Sequence, residues 1–196
     1  MFQISSTTLM HVFAALVALS LPALAADKSF VGSENPAWKQ HVEWTLNQQL
    51  ACHEAVDDVS PCNRFVGRAL ERVWGYKDFV RGSEYLLAND IVSQVLVMGD
   101  KWVEIGRANE QESLDASAQW ANKGHAVIAL SPGAPYGHVA LVLPGPLSAS
   151  AGWALKVPNS ASFLFKRPEK SYVGKPLSFA FGPEKKQDVK LYYRKK

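Results

Sequence analysis

Residues 124–143 read GHAVIALSPGAPYGHVALVL, and this stretch decides the fold class of the 196-residue chain. Two apolar runs, His125–Leu130 and His138–Leu143, lie on either side of a segment rich in proline and glycine. Short apolar runs are typical of buried β-strands, and a Pro/Gly-rich segment between two of them is typical of a hairpin. The stretch therefore predicts two antiparallel strands, each beginning at a Gly-His dipeptide.

The sequence before this hairpin has helical periodicity. Asn35-Pro36 places a capping residue before a proline, and apolar residues then recur every four positions from Trp38 to Leu50. Ser60-Pro61 predicts the start of a second helix by the same reasoning, and Gly75 can end it. Two more helices are predicted, the third from Asn89 to Gly99 and the fourth through Leu114 to Gly124.

The sequence after the hairpin again favours strands, which are expected near residues 153–157, 163–165, 177–181 and 189–193. Helices followed by antiparallel strands indicate an α+β fold. We expect the helices to pack on one side of a central antiparallel sheet.

The N-terminal segment is expected to direct export. An apolar, uncharged run from Val12 to Leu24 is too short for a membrane-spanning helix, which needs about 20 residues. Ala23-x-Ala25 gives the small-x-small pattern of a cleavage site, although no Lys or Arg precedes Lys28. We predict a signal peptide over residues 1–25 and a single domain over residues 26–196, which is periplasmic or secreted after cleavage.

The composition narrows the class of partners. The formal net charge of +3 is mildly basic, and it does not indicate nucleic-acid binding. No stable membrane insertion of the mature domain is expected. No cluster of His, Cys and Asp has metal-ligand spacing, so neither a metal nor another cofactor is expected.

Two residues carry the predicted chemistry, Cys62 and His138. Cys62 follows Ser60-Pro61 and is expected in the first turn of the second helix, where backbone N–H groups and the helix dipole stabilise a thiolate. The same N–H groups can stabilise an oxyanion. His138 follows Gly137 at the start of an apolar strand, and a histidine there can serve as the base for a cysteine nucleophile.

A third residue should orient the imidazole of His138. Asn159, in the stretch KVPNSASF, is the best candidate downstream, because it lies at the end of the next predicted strand. Ser160 is a weaker candidate, since a hydroxyl orients a ring less firmly than an amide does.

These pieces together resemble the NlpC/P60 and CHAP cell-wall amidases, the bacterial branch of the papain-like superfamily. The matching segments are Ser60-Pro61-Cys62-Asn63-Arg64-Phe65-Val66, residues 124–129 and residues 137–142, within a region from about Pro36 to Phe165. They also look like the amidase toxins that bacteria inject into neighbours. The resemblance implies a papain-like fold with Cys62 as nucleophile, His138 as base and Asn159 as the orienting residue.

The resemblance also implies a substrate, the peptide stems of peptidoglycan, which a cysteine amidase or endopeptidase hydrolyses through a thioester acyl-enzyme. If the protein is a toxin, an immunity or inhibitor protein is an expected partner. The alternative is a non-catalytic envelope-binding or inhibitor protein stabilised by a Cys52–Cys62 disulfide. The two cysteines are ten positions apart in the sequence, so a bridge between them is sterically feasible.

Overall fold

The computed structural model describes residues 36–50, 61–133 and 136–196. The predicted signal peptide and Cys52 lie outside these ranges. Within them the chain forms four α-helices and ten strands. The helices are α1 (Pro36–Asn47), α2 (Phe65–Trp74), α3 (Ala88–Val97) and α4 (Gln111–Asn122). The strands are β1 (Val80–Arg81), β2 (Glu84–Tyr85), β3 (Trp102–Arg107), β4 (Val127–Ser131), β5 (His138–Val142), β6 (Ser148–Ser150), β7 (Leu155–Val157), β8 (Asn159–Ser162), β9 (Tyr172–Pro176) and β10 (Lys190–Arg194).

Six of the strands form one sheet in the order β3-β10-β4-β5-β8-β9, and every neighbouring pair is antiparallel. The β4–β5 hairpin predicted from the Gly-His stretch is confirmed, with Val127 opposite Val142 and Ser131 opposite His138. The last strand, β10, lies between β3 and β4 in the interior of the sheet. Two further hairpins, β1–β2 and β6–β7, stand apart from it.

Helices and loops cover both faces of the sheet, as expected for central strands β4 and β5 that carry apolar residues at nearly every position. Side chains alternate between the faces along a strand. On one face Ile128 and Leu141 pack against residues of α1, α2 and α3. On the other face Val127 and Val142 pack against α4 and the segment around Leu177. The α+β class and the antiparallel sheet are confirmed, but the expectation that all helices pack on one side is wrong for α4.

The second helix begins later than the sequence predicts. Residues Pro61–Arg64 form a 3₁₀ turn, and α2 starts only at Phe65. Gly75 ends α2 as predicted, in a left-handed conformation with φ of 73°. Cys62 therefore lies in the turn that leads into α2 rather than in the first turn of the α-helix.

Two of the predicted strands are also placed differently. The strand expected at residues 163–165 lies earlier, at β8, and residues Leu177–Phe179 form a 3₁₀ turn instead of a strand. None of the helices within the described ranges has the length and apolar character that crossing a membrane requires.

Candidate functional site

A cavity of about 670 Å³ opens at the end of the sheet where β5 begins and β8 ends. The 3₁₀ turn before α2 supplies Cys62 to its lining, and the first residue of β5 supplies His138. The start of α3 and the segment after β8 complete the wall. The two residues with the predicted chemistry thus line one cavity at the end of the sheet, although Cys62 belongs to the core on the α2 face and His138 shares the opposite face of β5 with Ala140 and Val142.

Cys62 is disulfide-bonded in this structure. Its side chain is buried in the core that α2 shares with the sheet. A disulfide within the chain can only be made with Cys52, because the sequence contains two cysteines. The sulfur of Cys62 is therefore not a thiolate in this structure. This oxidised state corresponds to the alternative that the sequence left open, a protein with a Cys52–Cys62 disulfide.

His138 faces the side of the sheet that α4 covers, since it shares that face with Ala140 and Val142. Its ring packs edge-on against Phe181, with 5.2 Å between ring centroids. Its Nε2 lies 2.7 Å from the hydroxyl oxygen of Ser162. Burial of the ring lowers the pKa of His138 to about 4, so the imidazole is neutral at pH 7.

Ser162 therefore occupies the position next to the imidazole that an orienting residue needs. β8 pairs with β5 so that Leu141 lies opposite Ala161 and Val142 opposite Ser160. Ser162 follows two residues after Ser160 and lies on the same face as His138. Its side chain is fully buried and it does not line the cavity, so it can fix the ring but cannot reach a substrate.

The structure does not bring Asn159 to His138. β8 runs antiparallel to β5, and the backbone carbonyl of Asn159 accepts a hydrogen bond from the N–H of Leu143, at the far end of β5. The side-chain amide of Asn159 donates to Glu43 Oε1 at 3.0 Å and to the Pro144 carbonyl at 3.3 Å. Ser160 is also engaged elsewhere, with its hydroxyl 2.9 Å from that of Tyr172.

The sequence pattern did not single out Ser162, although one signal for it exists. Residues 159–162 read NSAS, so Ser160 and Ser162 share a face of any strand formed there. Which of them meets His138 depends on the register between β5 and β8, and a shift by one residue would turn both away.

The mouth of the cavity combines cations with exposed apolar side chains. Three basic residues from the segment after β8 line it, namely Lys166, Arg167 and Lys170. Of the seven large hydrophobic residues exposed in the described part of the chain, four line this cavity: Leu87, Tyr136, Phe165 and Phe179. Lys166 Nζ lies 4.5 Å from the ring centroid of Tyr136, within cation–π range.

A second, more open cavity of about 980 Å³ lies between α4 and the β6–β7 hairpin. Neither cysteine nor histidine lines it, and Asp115 and Lys156 are its charged residues. Across residues 36–50, 61–133 and 136–196, no group of three or more His, Cys, Asp or Glu side chains is arranged to hold a metal ion.

No protein-family model matches the chain, and no curated protein matches it either.

Proposed function

We propose that this protein is a cysteine amidase or endopeptidase of papain-like fold that hydrolyses the peptide stems of peptidoglycan. The observation that carries the proposal is that Cys62 and His138 line one cavity, although 75 residues of sequence lie between them. A nucleophile and a base that share a cavity are the minimum that acyl transfer requires. The proposal assigns Cys62 as nucleophile, His138 as base and Ser162 as the residue that holds the ring.

The active form in this proposal is the reduced one. An external dithiol reduces the disulfide of Cys62 to two thiols and is itself oxidised to a disulfide. Ser162 occupies Nε2 of His138, so Nδ1 is the nitrogen left to take the proton of the Cys62 thiol. The neutral imidazole has a free nitrogen to accept the proton, but burial makes it a weaker base than an ordinary histidine, so the proposal requires the thiolate formed at Cys62 to stabilise the imidazolium.

The reaction then follows the usual order for a thiol nucleophile. The Cys62 thiolate attacks the amide carbonyl, and the C–N bond breaks as the imidazolium of His138 protonates the leaving amine. The acyl group is held as a thioester on Cys62. A water molecule transfers a proton to His138 and attacks the thioester carbonyl, which releases the carboxylic acid and restores the thiol.

The cellular setting is part of the same proposal. Residues 1–25 act as a signal peptide, which brings the domain to the periplasm or the medium, where peptidoglycan lies. If the protein serves as a toxin against neighbouring bacteria, the producing cell needs an immunity protein that covers the Cys62–His138 cavity.

Digestion of purified sacculi by the mature domain, with and without dithiothreitol, tests the proposal. We expect stem fragments only after reduction of the parent protein. Cys52→Ala leaves Cys62 as a free thiol and should release fragments without any reductant, whereas Cys62→Ala should release none in either condition. If Cys52→Ala and the reduced parent are folded but release nothing, the proposed function is wrong.

A second candidate function is favoured by the disulfide itself. A non-catalytic envelope-binding protein would use it as a permanent cross-link, which stabilises by about 3 kcal/mol for a loop of this length. In that case reduction would lower the melting temperature without any hydrolysis, and the oxidised protein would sediment with sacculi. Activation by reduction excludes this candidate.

A further inference from the structure

We propose that Lys166, Arg167 and Lys170 form a carboxylate-binding subsite, which makes the cavity selective for peptides that carry a free carboxylate close to the cleaved bond. The inference deepens the proposed function and rests on it, since it takes the Cys62–His138 cavity as the place where the peptide binds. It names the residues that select the substrate rather than those that cleave it.

The three basic residues come from one short segment after β8, and hydrogen bonds hold its backbone in place. A 3₁₀ turn at Pro168–Lys170 brings the backbone N–H of Lys170 to the carbonyl of Arg167 at 2.9 Å. The hydroxyl of Ser171 accepts a hydrogen bond from the N–H of Leu164 at 2.9 Å, which closes the segment at its base. Because the backbone is held in this way, all three basic side chains line the same cavity.

The charge of the cavity is unbalanced. One acidic residue, Asp90, lines it against the three cations. In the part of the chain that the structure describes, none of the three forms an ion pair, whereas Arg64, Lys77 and Lys190 do. The second cavity offers a contrast, since its one acid, Asp115, is matched by one base, Lys156. The positive excess therefore distinguishes the Cys62–His138 cavity from the second cavity.

The surroundings of the cations favour a peptide over a small inorganic anion. Exposed apolar side chains at the cavity mouth, Tyr136, Phe165 and Phe179 among them, offer contact area that an inorganic anion cannot use. A mostly apolar lining with a few convergent polar groups is typical of sites for organic ligands. A peptide with free carboxylates matches both the apolar contacts and the cations.

The backbone of the cavity wall just before β5 is also held in place. Asn89 Oδ1, at the start of α3, accepts a hydrogen bond of 2.6 Å from the N–H of Gly137. A side chain at position 137 would approach the carbonyl oxygen of Ser131 to 3.0 Å and would also collide with Asn89, so only glycine fits. This packing holds in place the backbone before His138, which lines the same cavity as the basic segment.

The test measures binding by the oxidised protein, which cannot turn over substrate while Cys62 is in its disulfide. Isothermal titration with a synthetic stem tetrapeptide in the free-acid form and in the fully amidated form should give at least a 10-fold preference for the free acid. The triple variant K166Q/R167Q/K170Q should bind the two forms with less than a 2-fold difference. The charge-retaining variant K166R/K170R should keep the preference.

The matched control is K101Q/K156Q/K195Q, which removes the same charge at positions outside the cavity and should keep the preference of the parent. Equal binding of both peptides by the parent would overturn the inference, and so would an undiminished preference in K166Q/R167Q/K170Q. The outcome is separable from that of the proposed function. Selective binding without hydrolysis by Cys52→Ala would refute only the enzyme, and hydrolysis without selectivity would refute only the subsite.

Discussion

The two ends of the central sheet carry the same local motif and differ in what surrounds it. Gly124-His125 precedes β4 at one end, and Gly137-His138 begins β5 at the other, because the two strands are antiparallel. At the first end the histidine is enclosed by packed side chains. At the second end it lines a cavity together with a cysteine.

The His125 end is closed by the C-terminal strand. Nδ1 of His125 lies 2.9 Å from the carbonyl oxygen of Arg194, and its ring packs edge-on against Trp120 and Tyr193. The guanidinium of Arg194 in turn binds the carboxylate of Asp78. His125 lines neither of the two cavities.

At the His138 end, the described part of the chain surrounds a cavity instead. The side chains from the turn before α2, from the start of α3 and from the segment after β8 leave room for a ligand there. A Gly-His dipeptide at the start of a strand therefore does not define a site by itself. What defines the site is whether the rest of the chain closes that end of the sheet or leaves it open.

The largest effect on activity is expected when each of the two histidines is replaced in turn by alanine. His138→Ala should lower kcat/KM on sacculi under reducing conditions by about 1,000-fold, within the range for loss of a general base. His125→Ala should change it by less than about 3-fold per folded molecule, because His125 contacts only structural neighbours. Release of soluble stem fragments provides the measurement.

The two variants need a fold control, since both histidines are packed. Near-ultraviolet circular dichroism of each variant should resemble that of the parent. A large loss of activity in a folded His125→Ala protein would contradict the distinction between the ends.

The next largest effect concerns the stability of the closed end. Asp78→Ala should lower the free energy of unfolding by about 3 kcal/mol, because it leaves the largely buried Arg194 without its carboxylate and Trp102 Nε1 without its acceptor. Activity per folded molecule should be unchanged, because the cavity lies at the other end of the sheet. Urea unfolding at pH 7 measures the change in free energy.

Glu84→Ala is the matched control for this loss, since it breaks the more exposed pair of Glu84 with Arg64. This variant should lower the free energy of unfolding by less than about 1 kcal/mol. An equal cost for the two variants would mean that the Asp78–Arg194 pair does not hold the closed end together.

How much of this could be predicted from the sequence depends on how local each feature is. The α1 helix and the β4–β5 hairpin follow from periodicity within a few residues, and both are confirmed. The edge strand β3 was not predicted, because its residues WVEIGR do not alternate regularly between apolar and polar and its partner β10 is distant in sequence. Tertiary pairing of this kind overrides what a short window can show.

The candidate site shows the same limit. Cys62 and His138 could be singled out because each stands next to a local signal, a proline before a turn and a glycine before a strand. The partner of His138 could not, because the choice between Asn159 and Ser162 is made by the register between β5 and β8. That register depends on non-local packing, and a change of one residue reverses which side chains face the ring.

A smaller effect is expected in the proton affinity of the two histidines. In the oxidised protein the pKa of His138 should be about 4, whereas in the reduced protein a thiolate at Cys62 would raise it. The pKa of His125, which burial also lowers, should not respond to reduction. Histidine C2–H signals followed by NMR from pH 3 to pH 8 report both. An unchanged His138 signal after reduction would show that Cys62 and His138 do not sense each other.

The lowered pKa of His138 also makes the stability of the protein depend on pH. The folded pKa of His138 lies below its ordinary value of 6.5, so the unfolded chain binds the proton more readily between pH 6.5 and pH 4. The oxidised protein should therefore lose stability as the pH falls through this window, by less than about 3 kcal/mol because part of His138 stays accessible to solvent. His138→Asn should show a correspondingly flatter dependence on pH.

The smallest effect separates Asn159 from Ser162 and tests which end of the sheet each belongs to. Asn159→Ala removes the hydrogen bonds to Glu43 and Pro144, so it should cost about 1 kcal/mol of stability and leave kcat within 2-fold of the parent. Ser162→Ala should lower kcat at least 10-fold with little change in KM, because the imidazole of His138 loses the hydrogen bond that holds it. Steady-state kinetics on a soluble stem peptide under reducing conditions separate kcat from KM, and Ser162→Thr, which keeps the hydroxyl, should recover part of the loss. The opposite result, a fall in kcat for Asn159→Ala with none for Ser162→Ala, would assign the orienting role to Asn159.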